Sequence, residues 1–336
     1  MYDLIVIGAG SGGVRAARIA AGLGARVAIV ESRFFGGTCV NVGCVPKKLF
    51  AYAAEFPGLF EQARDFGFEP GAAGQAPELD WARLRDNKTR AIERLNGIYE
   101  RMLAQAGVEI FVGHGRIEAA NRVSVTAEDG TCEMLTGQHL LIATGGKPHV
   151  PDVPGRELAL ISDDLFFLPQ LPRRVAVVGG GYIATEFASI LHGLGVQVQQ
   201  LYRGELFLRG FDEDIRTFVA EQMRERGVAL HFNTDVTAIS EAADGGRRLT
   251  LADGSQRDVD AVFYATGRVP NVDDLFAPGV APSCGDNGAL RVDDGYATSV
   301  PGIYAVGDVT DRVQLTPVAL AEGMWLARAL FSGETT

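Results

Sequence analysis

A strand, a glycine-rich turn, a helix and a second strand follow one another twice along the 336 residues, and each copy closes on an apolar strand ending in Ala-Thr-Gly. Those two observations predict an α/β protein with two Rossmann-like dinucleotide-binding domains, the second inserted in the first. The length suffices for two or three domains at about 150 residues each, and a hydrophobic content of 47% supplies their cores. A net charge of -11 argues against nucleic acid as a partner, because no basic stripe stands ready to displace counterions from phosphates. Met1 is followed closely by Leu4-Ile5-Val6-Ile7, with no basic leader and no apolar run long enough to span a bilayer. A cytoplasmic protein without membrane contact is expected.

The first copy runs from the strand Asp3 to Gly8 into Gly8-Ala9-Gly10-Ser11-Gly12-Gly13, then a helix to about Leu23, then the strand Arg26 to Val30 ending in Glu31. Gly8, Gly10, Gly12 and Gly13 let the backbone approach a pyrophosphate at the helix N-terminus, and a carboxylate at Glu31 can accept both hydroxyls of an adenosine ribose. A bare G-x-G-x-x-G is weak evidence; the flanking strands and the acid at the right distance make this one specific.

Shortly after Glu31 comes Gly36-Gly37-Thr38-Cys39-Val40-Asn41-Val42-Gly43-Cys44-Val45-Pro46-Lys47-Lys48, and the placement of its two cysteines reads as a redox centre. On a regular helix residues five apart lie roughly 8 to 9 Å from one another on different faces, whereas a disulfide needs Cα atoms about 4.4 to 6.8 Å apart. The intervening turn must therefore unwind, and Gly43 and Pro46 are residue types that permit it. The bland readings are two thiols buried in a helix, or a fragment of a metal site that no second cysteine pair or nearby histidine completes. No metal is expected. Cys132 and Cys284 have no motif around them.

The second copy starts at Arg174-Val175-Ala176-Val177-Val178, turns through Gly179-Gly180-Gly181-Tyr182-Ile183-Ala184, continues as a helix to about His192 and returns as the strand Val196 to Leu201. The address that Glu31 holds in the first copy falls here on Tyr202, with Arg203 next and Arg209 beyond. Losing the carboxylate and gaining two guanidinium groups suits a ribose 2′-phosphate, so NADP(H) is favoured over NAD(H).

The closing strands are Leu140-Leu141-Ile142 before Ala143-Thr144-Gly145, and Val262-Phe263-Tyr264 before Ala265-Thr266-Gly267. They set the expected organisation: a first domain over 1–145, an inserted domain over 146–270, and a return to the first domain over 271–336. In that return Gly302 to Val306 is a strand leading to Gly307-Asp308, whose carboxylate can hold a cofactor hydroxyl. Thr316-Pro317 then opens a helix to about Phe331, with Thr316 as N-cap and Pro317 at the first helical position. Between the cysteines and the first closing strand, 66–77 reads as a loop. Asp80 to Gln105 reads as a helix with Trp81, Leu84, Ile92, Leu95, Ile98 and Met102 as its apolar stripe. Residues 109–139 and 228–260 read as small antiparallel meanders.

Gly36 to Lys48, Gly179 to Glu186, Arg203 to Arg209, Ala265 to Asn271 and Leu315 to Ala319 closely resemble the glutathione reductase family, within the pyridine nucleotide-disulfide oxidoreductases. The resemblance covers essentially the whole chain. It implies FAD on the first domain and NADPH on the inserted one, and a relay from nicotinamide to flavin to disulfide to oxidised glutathione. It implies Cys39 as the interchange thiol that attacks the substrate and Cys44 as the thiol beside the flavin. Lys47 would lie near the flavin and pair with Glu186, and Tyr182 would cover the flavin until nicotinamide arrives. Cofactor contacts would come from Gly8 to Gly13, Glu31, Thr38, His114, Gly115, Thr144, Gly145, Asp308, Leu315 and Thr316 on the FAD side, with Gly267 and Arg268 as further cofactor contacts. On the NADPH side they would come from Gly179, Gly181, Tyr182, Ile183, Ala184, Arg203 and Arg209. Ser11, Arg18 and Tyr99 match positions that contact glutathione.

Related enzymes fit less well. Trypanothione reductase would place an acid and a tryptophan where Arg15 and Arg18 stand; dihydrolipoamide dehydrogenase would keep an acid after the second glycine turn; small thioredoxin reductases carry C-x-x-C in the NADPH domain. Met324 departs from an arginine that some family members use on glutathione. The family pattern also continues into an interface domain that forms a homodimer and supplies a His-Pro-Thr motif, and none of His114, His139, His149, His192 and His231 is followed by Pro-Thr. The 336 residues alone are therefore expected to lack that general acid and to be monomeric or loosely assembled. The alternative expectation is an FAD- and NADPH-binding flavoprotein with diaphorase activity only, or a reductase of another disulfide.

Overall fold

The computed structural model describes residues 1–68 and 78–333; of the expected loop over 66–77, residues 69–77 lie outside the described residues. The chain divides into two compact units, one made of Met1–Val45, Arg90–Lys147 and Arg268–Thr336, the other of Pro46–Thr89 and Pro148–Gly267.

The chain opens with β1 (Tyr2–Ile7), α1 (Ser11–Gly22) and β2 (Val27–Glu31). A short helix α2 (Gly37–Asn41), α3 (Cys44–Asp65) and α4 (Trp81–Gln105) follow. Next come β3 (Glu109–Val112), β4 (His114–Ala119), β5 (Arg122–Thr126), β6 (Cys132–Ile142) and β7 (Gly146–Pro148). Then the chain runs through β8 (Leu160–Ile161), α5 (Ser162–Leu165), β9 (Arg174–Val178), α6 (Tyr182–Gly193), β10 (Gln197–Leu201), α7 (Glu213–Glu225) and β11 (Ala229–His231). After β12 (Val236–Glu241), β13 (Arg247–Leu251), β14 (Gln256–Val259) and β15 (Ala261–Tyr264), it returns through β16 (Arg268–Pro270), β17 (Ile303–Ala305) and α8 (Thr316–Phe331).

In the first unit β1 lies between β2 and β6, parallel to both, with Ile7 opposite Val30 and Ile142. β3 extends the sheet beyond β2, and β17 joins β6 with Ala305 opposite Ile142. Strand alternation sends successive side chains to opposite faces. Ile5, Ile7, Val30 and Ile142 meet Val123, Val125 and Leu290 on one face, while Leu4, Val6, Ile29 and Leu141 meet Val14 of α1, Leu103 of α4 and Leu326 of α8 on the other. Because the strands run in register, Gly8, Glu31, Ala143-Thr144-Gly145 and Gly307-Asp308 all emerge at the C-terminal end of one parallel sheet. That end of an open α/β sheet is where ligands bind.

The second unit repeats the arrangement as a parallel sheet in the order β11-β10-β9-β15-β8, with an antiparallel β12-β13-β14 beside it in sequence. Phe50 of α3 packs on Trp81 of α4 and on Phe166, which meets Phe187 of α6, and the Trp81 indole donates to the Leu168 carbonyl at 2.9 Å. This aromatic cluster is why 46–89 belongs with 148–267.

Three sequence expectations need correction. The stretches 109–139 and 228–260 are not meanders throughout, because β3 and β11 pair parallel with β2 and β10. Each of them follows a helix, α4 or α7, and a strand reached by a helical crossover returns parallel to its neighbour. In α4, Ile98 is exposed whereas Leu103, outside the expected stripe, is fully buried. Thr316 is the first helical residue of α8 rather than its N-cap; Leu315 holds that place in extended conformation with no side-chain cap. The Thr316 hydroxyl instead lies 3.8 Å from the Cys44 sulfur. Among the described residues, no helix is long and apolar enough to cross a membrane.

Candidate functional site

Cys39 and Cys44 form a disulfide whose Cα atoms are 4.6 Å apart. The chain reaches that distance by ending α2 at Asn41 and starting α3 at Cys44, so the unwinding falls on Val42 and Gly43. Gly43 is needed there for space: a Cβ would come within 2.8 Å of the Thr38 carbonyl oxygen and 3.3 Å of Cys39 Cα. α2 is pinned from behind by two asparagines. The Asn41 amide donates to the carbonyls of Phe35 and Gly37, and the Asn96 amide of α4 donates to Phe35 and to Asn41 Oδ1 at 2.7 and 2.8 Å. Cys44 heads α3, at the helix end whose first N–H groups have no intrahelical partner. It is exposed, Cys39 half-buried and Thr38 exposed.

At the sheet end of the first unit, Gly8 adopts φ of 102° and passes so close to the Ala143 carbonyl that no side chain fits. Gly13 packs on the Gly8 carbonyl, and Gly12 on Val306 and Ala319. Gly10, the N-cap of α1, has no side-chain cap, and a Cβ on it would meet nothing nearer than 3.9 Å, which leaves the helix N-terminus open. Glu31 already grips the turn: Oε2 accepts from the Ala9 N–H at 2.7 Å, and Oε1 from Arg33 and Phe34 at 2.7 and 3.1 Å. The Thr144 hydroxyl is buried without a hydrogen-bond partner. Burial pushes the Asp308 carboxyl up, against the pull of the Arg268 guanidinium, which donates to the Gly146 carbonyl. Gly115 is a packing position against Val30 and Ile7, and His114 reaches the Asp274 carbonyl at 3.4 Å. Leu315 is exposed at the head of α8. Of the three expected substrate contacts, Ser11 opens α1, Arg18 lies two turns along it with a buried, unpartnered Nε, and Tyr99 packs on the core beneath α1.

In the second unit Lys47 Nζ meets Glu186 Oε1 at 2.7 Å, both groups partly exposed. The glycine turn there differs from its counterpart at one address. Tyr202, which stands where Glu31 stands, lays its ring over Gly180, so that a Cβ on Gly180 would fall into the ring. Gly179, with φ of 145°, leaves room for Ala184 on α6, whereas the first copy needs Gly13. Gly181, the N-cap of α6, faces open space; Tyr182 is exposed, Ile183 half-buried and Gly267 exposed. Arg203 and Arg209 line one open cleft of about 480 Å³ together with Tyr202, Gly204, Glu205, Leu206 and Arg216. Sequence reading named the two arginines but missed Asn41, Asn96 and Arg216; the asparagine inside the cysteine motif was the one available signal.

A family profile described as pyridine nucleotide-disulphide oxidoreductase matches residues 2–323. The chain is 48% identical over 333 residues to a glutathione reductase of Burkholderia cepacia, covering 99% of this chain and 72% of that protein. It is 45% identical to the chloroplastic/mitochondrial glutathione reductase of Pisum sativum, covering 100% of this chain and 61% of that one. It is 42% identical to a glutathione reductase of Nostoc sp., covering 98% and 72%.

Proposed function

The chain belongs to the pyridine nucleotide-disulphide oxidoreductases, and from that premise we propose that it is an NADPH-dependent flavoprotein that reduces oxidised glutathione to two thiols. The observation that carries this reading is the Cys39–Cys44 disulfide at the head of a helix, in the unit whose sheet end gathers an open glycine turn, an orphaned hydroxyl and a buried carboxyl. FAD and NADPH are the cofactors, and when bound they supply the two electrons that open the disulfide.

The residues fit both groups. The uncapped N-terminus of α1 and the unpartnered Thr144 hydroxyl offer donors to the FAD pyrophosphate side, with Asp308, His114, Gly115, Gly145, Arg268, Leu315 and Thr316 around the same sheet end. Glu31 would hold the ribose while it braces the turn. Gly179, Gly181, Ile183 and Ala184 would hold NADPH, Arg203 and Arg209 its 2′-phosphate, and Tyr182 would gate the nicotinamide. The ligand-binding domains would then be 1–145 with 271–336 for FAD and 146–270 for NADPH. The Lys47–Glu186 pair would keep a fixed positive charge beside the ring as its charge changes.

In the substrate step the Cys39 thiolate attacks one sulfur of the glutathione disulfide, forming a mixed disulfide and releasing the first glutathione. The Cys44 thiolate then attacks Cys39, closing the Cys39–Cys44 bond and releasing the second; each cysteine begins as a thiol and gives up its proton as it attacks, and those two protons end on the two departing glutathione thiolates. Ser11, Arg18 and Tyr99 would seat the tripeptide, the positive Arg18 facing its carboxylates. A cytoplasmic location accords with this reading; a homodimer is what the resemblance implies for full-length members, whereas these 336 residues alone would be monomeric or loosely assembled.

The test is to reduce the flavin-loaded protein with NADPH and count thiols. Two new thiols are expected. Cys39→Ser should keep a long-wavelength thiolate-to-flavin band and Cys44→Ser lose it. The opposite pattern would exchange the two roles, and no new thiols would overturn the assignment.

A further inference from the structure

We infer that Arg216, on α7, is a specificity-determining residue for the phosphorylated ribose, acting with Arg203 and Arg209; the inference rests on the NADPH reading above. Three observations meet on it. First, Arg216 lines the same cleft as Arg203 and Arg209, although it lies on a different element. Second, its guanidinium is fixed by one edge: Nε donates to the Phe207 carbonyl at 2.8 Å and Nη2 to the Leu206 carbonyl at 2.6 Å. A planar guanidinium held by that edge turns its other edge outward, and among the described residues Nη1 has no hydrogen bond to the protein.

Third, the loop it grips is the one that presents Arg209, and that loop is under tension. Leu208 has φ of 57°, the left-handed region that a branched side chain avoids. Its N–H donates to the Gly180 carbonyl of the glycine turn at 2.6 Å. The loop is thus tied at Leu208 to the turn that would hold the pyrophosphate, and at Leu206 and Phe207 to α7 through Arg216. Arg209 follows directly. Its guanidinium is presented from a backbone tied at each of the three residues before it, so less ordering is needed when an anion arrives.

A third cation also answers the composition of the cleft. Glu205 lines it too, and a carboxylate there opposes a phosphate. With Arg216 included, three guanidinium groups face one carboxylate. The ligand recognised is a ribose 2′-phosphomonoester on an adenosine, and the residue both orients Arg209 and contributes charge.

The experiment measures the NADPH and NADH concentrations that half-reduce the flavin in the loaded protein, together with inhibition by adenosine 2′-phosphate and adenosine 5′-phosphate. Arg216→Met should lower the NADPH-to-NADH preference at least tenfold and weaken adenosine 2′-phosphate by a similar factor, with a smaller effect on the 5′-isomer. Arg216→Lys, which keeps the charge but not the two-point grip, should fall between. A wild-type preference for NADPH that survives Arg216→Met, or an equal loss on both coenzymes and both isomers, would overturn the proposal and leave the NADPH reading intact. A wild type without any preference would overturn both.

Discussion

Thr144 shows how a single atom reports a ligand. A buried hydroxyl without a partner costs about 1 to 3 kcal/mol, and the fold tolerates that cost at the sheet end beside Gly8. Thr144→Val keeps the shape and removes the orphaned oxygen. The flavin-free variant should be about 1 kcal/mol more stable to urea than wild type, while FAD binds more weakly; a loss of stability would show that the oxygen is satisfied in the apoprotein. The glycines, the cysteines and Glu31 were legible in sequence because their chemistry is local and their spacing short. Thr144 was legible only through its tripeptide. Arg216 was not legible at all, since the carbonyls it holds lie on a loop before its own helix.

At the scale of elements, the two glycine turns separate packing from binding. A Cβ on Gly323 of α8 would run into the Gly12 carbonyl of α1, whereas one on Gly181 at the head of α6 meets nothing within 4 Å. Gly323→Ala should therefore destabilise the protein by about 1 to 3 kcal/mol, as overpacking does. Gly181→Ala should leave stability within about 0.5 kcal/mol yet weaken NADPH binding. Denaturant melts paired with coenzyme titrations test both; equal stability losses in the two variants would contradict the distinction. The strands before those turns were legible because each is an unbroken apolar run, such as Leu4-Ile5-Val6-Ile7, that stops at glycines, the pattern of a strand buried on both faces. α7 was not. Its Ile215 and Phe218 are exposed and only Ala220 and Met223 are buried, so apolar positions do not mark its inner face, and without it β11 could not be recognised as a crossover strand.

Across the whole molecule, acid sensitivity should begin with two histidines, one in each unit. Burial holds the His139 imidazole below its ordinary 6.5, and burial followed by the Arg257 charge does the same for His231, whose ring nitrogens both face that guanidinium at 3.4 Å. Both rings are neutral in the fold, whereas the unfolded chain takes up protons as pH falls through about 6.5. Their contribution is thus fully present above that pH and is lost as pH falls below it toward the lowered folded values. Carboxylates such as Asp244 and Asp258, held below 3.8, add a separate loss at lower pH. The melting temperature should decline from pH 7 to 5.5, and replacing His139 and His231 by Asn should flatten that slope. An unchanged slope in the double variant would remove both from the account.

The ring of Tyr202 over Gly180 also constrains how such a chain can change coenzyme by successive mutation. The first copy, with Ala9 beneath a carboxylate, shows the state an NAD-type site would approach. From the present sequence, a methyl group at 180 collides with the Tyr202 ring, so as a first step that substitution forces the ring out of its place. Tyr202→Glu opens the space and makes the methyl tolerable afterwards. The two changes are epistatic through one steric contact, so the order in which they accumulate sets how far the Tyr202 ring must be displaced on the way.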